Sequence, residues 1–295
     1  IRSNRRRSVL LVFLIAMLLG ALGYALGEAA MPQGGLPGVG IAAIIWIVMS
    51  LVAYFKGDDI MLAVSGAREI QKADEPRLFN VVEEMTIAAG LPKMPRVFIV
   101  DDMALNAFAT GRSTDKSAVA VTAGLLGKLN RDELQGVIAH EMTHVVNRDV
   151  LFMTMVGVML GTIVIISNVF LRSLAYSGRG SRRYRSSGQG GGQAQAIMFV
   201  VAIVLAILSP ILAQLIYFAI SRRREYLADA GACVLTRYPE GLASALEAIG
   251  GDALPLASAN KATAPMYIAN PFDKMGRAAF SLNSTHPPLE ERIRV

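Results

Sequence analysis

Two uncharged runs near the N-terminus, Val9 to Leu26 and Gly38 to Phe55, constrain this 295-residue chain more than any other feature. Each is 18 residues long. As a helix rising about 1.5 Å per residue, either run reaches about 27 Å, close to the hydrocarbon thickness of a bilayer. Such runs must be buried in an unusually large core or given to lipid, and composition decides between the two. Hydrophobic residues make up 53% of the chain, charged residues only 18%, and the mean hydropathy is +0.45. Soluble domains carry about 25% charged residues. That composition excludes a disordered or collagen-like chain, and the one cysteine, Cys233, excludes a disulfide-stapled one.

Arg5, Arg6 and Arg7 before the first run also suit a signal peptide. The run is longer than a usual signal core and a second follows within about a dozen residues, so a retained membrane hairpin is expected. The segment from Glu28 to Pro37 has no basic residue, whereas Lys56, Arg68, Lys72 and Arg77 follow the second run. The positive-inside bias therefore puts the N-terminus and the region after Lys56 in the cytoplasm.

The net charge of +6 does not indicate nucleic acid. Twelve arginines flank the apolar runs: Arg2, Arg5–Arg7, Arg172, Arg179, Arg182, Arg183, Arg185 and Arg222–Arg224. The rest of the chain has 17 basic and 23 acidic residues. A basic surface confined to the ends of apolar runs fits lipid headgroups.

From Lys56 to Asp149 the pattern is that of a soluble α+β segment. Pro76 opens a helical stretch with Leu78, Val82, Met85 and Ala89 on one face, and Gly90 ends it. Arg96–Val100 and Ser117–Thr122 read as short strands, with Asn106–Gly111 on a strand or its edge. Asn130 and Glu133 form a capping pair for a helix through Leu134, Val137, Ile138 and Val145. Two further apolar segments, Leu151–Leu171 and Ala196–Ala219, are joined by an Arg/Gly/Ser-rich linker. After them come helical stretches near 222–235 and 239–250, then a Pro-rich tail ending in a short charged helix. Four parts are expected: an N-terminal hairpin (1–56), a first soluble part (57–150), a second membrane hairpin (151–219) and a second soluble part (220–295).

Two of the three histidines stand four apart in His140-Glu141-Met142-Thr143-His144. On a helix both face one way and reach one ion. Zinc suits two neutral imidazoles plus a carboxylate, with the fourth position left to water and Glu141 beside it as general base. His286, Cys233 and Glu225 are candidates for the third ligand. Glu225 is favoured because Asp229, one helical turn on, is placed to hold a ligating histidine.

Five separated segments resemble the HtpX family of bacterial membrane zinc proteases, relatives of the CAAX prenyl proteases. They are NAFATG (106–111), the HExxH helix followed by Asn147 and Asp149, EYLAD (225–229), MYIANPF (266–272) and STHPPLEERI (284–293). The resemblance spans nearly the whole chain. It implies one zinc ion on His140, His144 and Glu225, with Glu141 as base. It also implies a multi-span protein of a bacterial or archaeal cytoplasmic membrane, acting in quality control and stress response on misfolded or damaged membrane proteins. A specific peptide or lipidated peptide is an alternative substrate.

Two roles combine that resemblance with general chemistry. An edge strand at Asn106–Thr110 or Ser117–Val121 aligns an extended substrate, with Asn106 a substrate contact. His286, stiffened by Pro287 and Pro288, donates to the carbonyl oxygen as charge develops on it.

Other signals carry little. Ser113-Thr114-Asp115-Lys116 matches SxxK in a turn-like stretch without companion motifs. Leu129 after Gly127-Lys128 breaks a phosphate-loop pattern, so no ATP is expected. A transporter calls for ionisable residues inside the apolar segments, and none of the four has one. An inactive zinc-binding membrane holdase is disfavoured by Glu141. The expected fold is mainly α with a small β-sheet: a multi-span helical membrane protein with a gluzincin-like HExxH domain. Its partners are polypeptide substrates and the lipid bilayer, with no nucleic acid.

Overall fold

Both N-terminal apolar runs lie in long helices in the computed structural model of the chain, α1 (Arg2–Ala30) and α2 (Gly35–Val64). The structure describes residues 2–177, 192–252, 254–256, 267–269 and 287–294. The turn between α1 and α2 is fixed by the Glu28 carboxylate, which accepts hydrogen bonds from the Gln33 and Gly35 N–H groups at 3.1 and 2.9 Å. The Gly35 N–H opens α2 and would otherwise lack a partner. Gly23 and Gly38 let the two backbones touch, since a Cβ on Gly23 would lie 2.7 Å from the Gly38 carbonyl oxygen. Small residues at such a crossing suit helix packing without a hydrophobic driving force.

Along α2, Ile44, Ile47, Leu51 and Phe55 are all exposed. A helix exposing such side chains along its length matches lipid as its solvent. Among the described residues three helical stretches are long and apolar enough to cross a bilayer: Val12–Ala30, Gly35–Val64 and Ala196–Ala213. The fourth expected segment contributes only a shorter apolar stretch, Met159–Arg172, within α6 (Asp149–Ser177).

The chain divides into two units, one of Ile1–Leu51 with Val158–Ile216 and one of Val52–Gly157 with Tyr217–Val295. The second unit contains a four-stranded mixed sheet of β1 (Ala67–Glu69), β2 (Arg96–Val100), β3 (Ala107–Ser113) and β4 (Lys116–Thr122), in the order β1-β2-β4-β3. The β1–β2 and β3–β4 pairs are antiparallel, and β2–β4 is parallel. Ser113 and Lys116 close the β3–β4 hairpin, so the SxxK stretch is its turn. The expected strands appear, and β1 is one the sequence pattern did not reveal.

Alternation along β3 and β4 sends Ala107, Ala109, Val119 and Val121 to one face, where they join Leu78, Val82, Leu134, Val137 and Ile138 in the main core. Those partners come from α3 (Pro76–Ala88) and α5 (Arg131–Val146). Phe108, Ala118 and Ala120 face the other way, onto Leu62 and Tyr267. After β4 come α4 (Ala123–Lys128) and then α5, which starts with the expected capping box. The Asn130 side chain accepts from the Asp132 and Glu133 N–H groups, and Glu133 accepts from the Asn130 N–H. An N-cap of this kind stabilises by about 0.5–2 kcal/mol.

The stretch expected as a separate helix near 222–235 is instead the end of α7, one 45-residue helix from Gly192 to Thr236. The arginines at 222–224 do not interrupt it, because charge alone breaks no backbone hydrogen bond and Arg is a good helix former. The chain then forms α8 (Pro239–Gly251) and, at its end, α9 (Leu289–Arg294).

Candidate metal centre

The helix α5 presents His140 and His144 on one face, as the i, i+4 spacing requires, and both are largely or wholly buried. The stretch of α7 around Glu225 reaches them through a close crossing. A Cβ on Gly231 would lie 2.4 Å from Thr143 Cγ2, so only glycine allows α7 to lie this near α5 at that point. His140, His144 and Glu225 each offer one ligand atom, all within 4.8 Å of one another. Glu225 Oε1 is 3.4 Å from His144 Nε2, and Glu225 Oε2 is 3.7 Å from His140 Nε2.

The orientation of the imidazoles suits a cation. The two Nε2 atoms face each other at 3.2 Å. On the far side of each ring a carboxylate takes Nδ1: Asp229 for His140 at 2.8 Å, and Asp149 for His144 at 3.4 Å. A carboxylate accepts a hydrogen bond only from a protonated nitrogen, so in the neutral rings both Nε2 lone pairs point into the gap. Second carboxylates of this kind fix the tautomer of ligating histidines. Four buried carboxylates, Glu141, Asp149, Glu225 and Asp229, surround the gap against two buried guanidiniums, Arg224 and Arg292. That excess of carboxylates favours a cation in the gap.

The groups around the gap also shift one another's protonation. Burial opposes a charge on His144, yet Asp149 and Glu225 outweigh it and lift its pKa to about 10. Burial lowers the pKa of His140. It also pushes Glu141 up to about 7, against the pull of His144 and of a hydrogen bond from the Ala109 N–H. Burial resists ionisation of Asp229 as well, but Arg292 and His140 hold it at about 2.

Arg292 is the residue that the sequence pattern did not single out. In the six-residue helix α9 it looks like a solvated charge, but it is 4% exposed. Its Nε and Nη2 donate to Asp229 at 2.8 and 2.7 Å, and its Nη1 donates to the Ile268 carbonyl at 2.7 Å. Nη1 is also 3.5 Å from Glu225 Oε2. Arg224 does a similar job on the other side. It donates to Asp149 at 2.6 Å and lies 3.9 Å over the Phe152 ring. Leu289 and Ile293, packed against the main core, anchor α9. The one available clue was that Arg292 lies within the same segment as His286.

His140, Glu141, His144 and Glu225 line one small cavity together with Ala109, Val150, Met153 and Tyr267. Asn106 lies at the start of β3, 3% exposed, with its carboxamide accepting from the Ala107 N–H and donating to the Ala269 carbonyl at 3.1 Å. His286 lies outside the described residues. Of the two expected edge strands, only β3 is an edge. The Ser117–Val121 alternative is corrected: β4 pairs with β2 on one side and β3 on the other, and has no free backbone to offer.

Residues 72–295 match the family described as Peptidase family M48. A "Protease HtpX homolog" of Dictyoglomus turgidum is 47% identical over 294 residues, covering 100% of this chain and 92% of that protein. A protein of the same description from Caldanaerobacter subterraneus subsp. tengcongensis is 42% identical over 291 residues, covering 99% and 94%. The crystal structure of S. mikatae Ste24p is similar at a TM-score of 0.48 and 18% identity, over 96% of this chain and 61% of that one.

Proposed function

The chain belongs to peptidase family M48 and is a membrane metalloprotease, and on that premise we propose a zinc-dependent endopeptidase that cleaves misfolded or damaged membrane proteins. The observation that supports this most directly is the position of Glu141. It lies beside the ligand set and next to the backbone of an edge strand at Ala109, where a base and a substrate have to meet. Zinc held by His140, His144 and Glu225 would supply a Lewis acid for the scissile carbonyl and lower the pKa of a water toward ~7.

The chain's own residues do the rest. Glu141 takes a proton from the attacking water at its carboxylate and hands it to the leaving amine. The outer edge of β3 holds the substrate backbone extended, and Asn106 acts on the substrate by shaping one end of that edge. Asp229 and Asp149 keep the two Nδ1 atoms protonated, so that both Nε2 lone pairs stay available. His286 donates to the carbonyl oxygen as it gains charge. The catalytic face is cytoplasmic, by the arginine pattern, and the protein is a multi-pass one of the bacterial inner membrane.

The test is cleavage of casein and of a reconstituted unfolded membrane protein, with and without chelator, by the wild type and by Glu141→Gln. Chelation should abolish cleavage and added zinc restore it. Glu141→Gln should lose activity by about 10²–10⁴-fold while keeping its zinc. Near wild-type cleavage by Glu141→Gln with stoichiometric zinc would overturn the assignment. Zinc binding without cleavage by the wild type would leave a holdase.

A further inference from the structure

Arg112 and Arg148 line one cavity, and each is put there by an unusual piece of backbone. In the β3–β4 hairpin Gly111 pairs with Ser117 and Ser113 with Lys116, which leaves Arg112 as an extra residue between them. A bulge of this kind re-aims a side chain. Gly111, at φ +137°, permits it, since a Cβ there would lie 2.3 Å from the Lys116 carbonyl oxygen. Arg148 follows the C-cap of α5 and has φ +58°, a left-handed conformation in which glycine or asparagine is the unstrained choice. Such a backbone, carrying a long cationic side chain beside a cavity, points to a task for that charge.

Neither guanidinium has a carboxylate partner among the described residues. Asp149, next to Arg148, is held by Arg224 and His144. The same cavity is lined by Ser117, which is 7% exposed and whose hydroxyl has no hydrogen-bond partner. Pairing with Gly111 places the Ser117 side chain on the sheet face of Val119 and Val121, toward α5, and Val145 of α5 lines the cavity too. A buried donor left unsatisfied is costly, and with two cations beside it the ligand it calls for is an anion. The empty space is about 200 Å³, room for a phosphate group but less than the roughly 300–1,000 Å³ of a drug-sized ligand site.

The surroundings say which anion. The Arg112 guanidinium lies 5.7 and 5.6 Å from the ring centroids of Tyr54 and Phe55. Those rings are 42% and 56% exposed and end the apolar run of α2, just before Lys56. Aromatic residues followed by a cation mark the level where hydrocarbon gives way to headgroups. We propose that Arg112, Arg148 and Ser117 hold the phosphodiester of an anionic phospholipid, from the leaflet at the Lys56 end of α2. Phosphatidylglycerol has the required chemistry, a single negative phosphodiester with no ammonium to repel the two guanidiniums. The arginines grip its oxygens through paired N–H donors, Ser117 donates a further contact, and the acyl chains run past Tyr54 and Phe55. Basic pockets beside membrane helices bind anionic headgroups in this way. Val150 lines this cavity and the metal cavity alike, so the lipid keeps the metal centre at the level of the membrane surface.

The experiment is native mass spectrometry of the full-length protein in detergent, titrated with phosphatidylglycerol, phosphatidylcholine, inorganic phosphate or a tetraglutamate peptide. Binding is read without proteolysis, so its outcome is independent of the endopeptidase reading. Phosphatidylglycerol should bind about tenfold more tightly than phosphatidylcholine. Arg112→Gln with Arg148→Gln should weaken it about 25-fold, near fivefold for each charge. Arg68→Gln with Lys93→Gln removes the same charge at exposed positions elsewhere, and should change it by less than about twofold. Ser117→Ala removes only the hydroxyl and should weaken binding by roughly three- to tenfold. Arg112→Lys with Arg148→Lys keeps the charge and should show an intermediate loss, because lysine lacks the paired donors. If the glutamine pair does not fold, these last two variants carry the test. Equal losses in the control pair, or full binding by both Ser117→Ala and the lysine pair, would overturn the inference. So would displacement of the lipid by an equal concentration of inorganic phosphate, which would make this a free-phosphate site. Displacement by tetraglutamate would overturn it too, and make the cavity part of the substrate cleft.

Discussion

His140 and His144 point their Nε2 atoms at each other at 3.2 Å, while Asp229 and Asp149 hold the opposite nitrogens of the two rings. The pair is thus set from behind. The helix supplies the spacing, but carboxylates from two other positions in the chain decide which nitrogen faces the ion.

Removing Glu225 should therefore differ from removing Asp229. Glu225→Ala leaves zinc with two protein ligands and should lower zinc occupancy as strongly as His140→Ala. Asp229→Ala leaves three ligands but frees the His140 ring, and should weaken zinc binding by roughly 10–100-fold. Elemental analysis and competition with a chromophoric chelator distinguish the two. Full zinc occupancy in Glu225→Ala would move the third ligand elsewhere, His286 first.

Arg292 carries two loads, and its replacements should separate them. Arg292→Met removes the buried guanidinium from beside Asp229 and Glu225, and losing one partner of a buried ion pair costs about 3–5 kcal/mol. A clear fall in Tm should result, along with weaker zinc binding. Arg292→Lys restores the charge but not the two-pronged contact with Asp229, and should recover only part of the stability. A Tm unchanged in Arg292→Met would show that the guanidinium is not holding α9 in place.

His286 should matter to turnover and not to metal. If it donates to the developing oxyanion, His286→Ala lowers kcat by about 10²–10³ with zinc content and Tm unchanged. An unchanged kcat would leave it a structural residue, and lost zinc would make it a ligand.

Topology is constrained by the metal site itself. One ion shared by His140, His144 and Glu225 requires that the chain between them cross the membrane either not at all or twice. Two crossings are expected from the apolar segments 151–171 and 196–219. In a Cys233→Ser background, a cysteine at Ser187 should then react with an impermeant reagent from outside the cell. Labelling only after the membrane is opened would show that the pair does not cross.

Much of this was legible in the chain, for a local reason in each case. The strands at Arg96–Val100 and Ser117–Thr122 show in their β-branched alternation, and Asn130 with Glu133 marks the start of α5 by capping chemistry that spans only four residues. The HExxH pair is a statement about helical periodicity alone. Where a reading needed information from beyond its own segment, it fell short. The strand β1 is three residues long and is a strand only because β2 pairs with it. The arginines at 222–224 looked like a boundary, but α7 runs through them unbroken.

What the sequence by itself determined, then, is the local chemistry: the apolar runs suited to lipid, the helix that aligns His140, Glu141 and His144, and the family to which the chain belongs. Only the tertiary structure decided that β3 and not β4 is the edge strand, that Arg292 is buried between Asp229 and Ile268, and that Tyr267 and Ile268 pair with β3 at Phe108 and Ala107. The physical reason is the same for all three. Strand order, the burial of a charge and the occupation of a sheet edge are relations between segments far apart in the chain. They are set by which surfaces exclude water together, and no single segment carries a record of its partner.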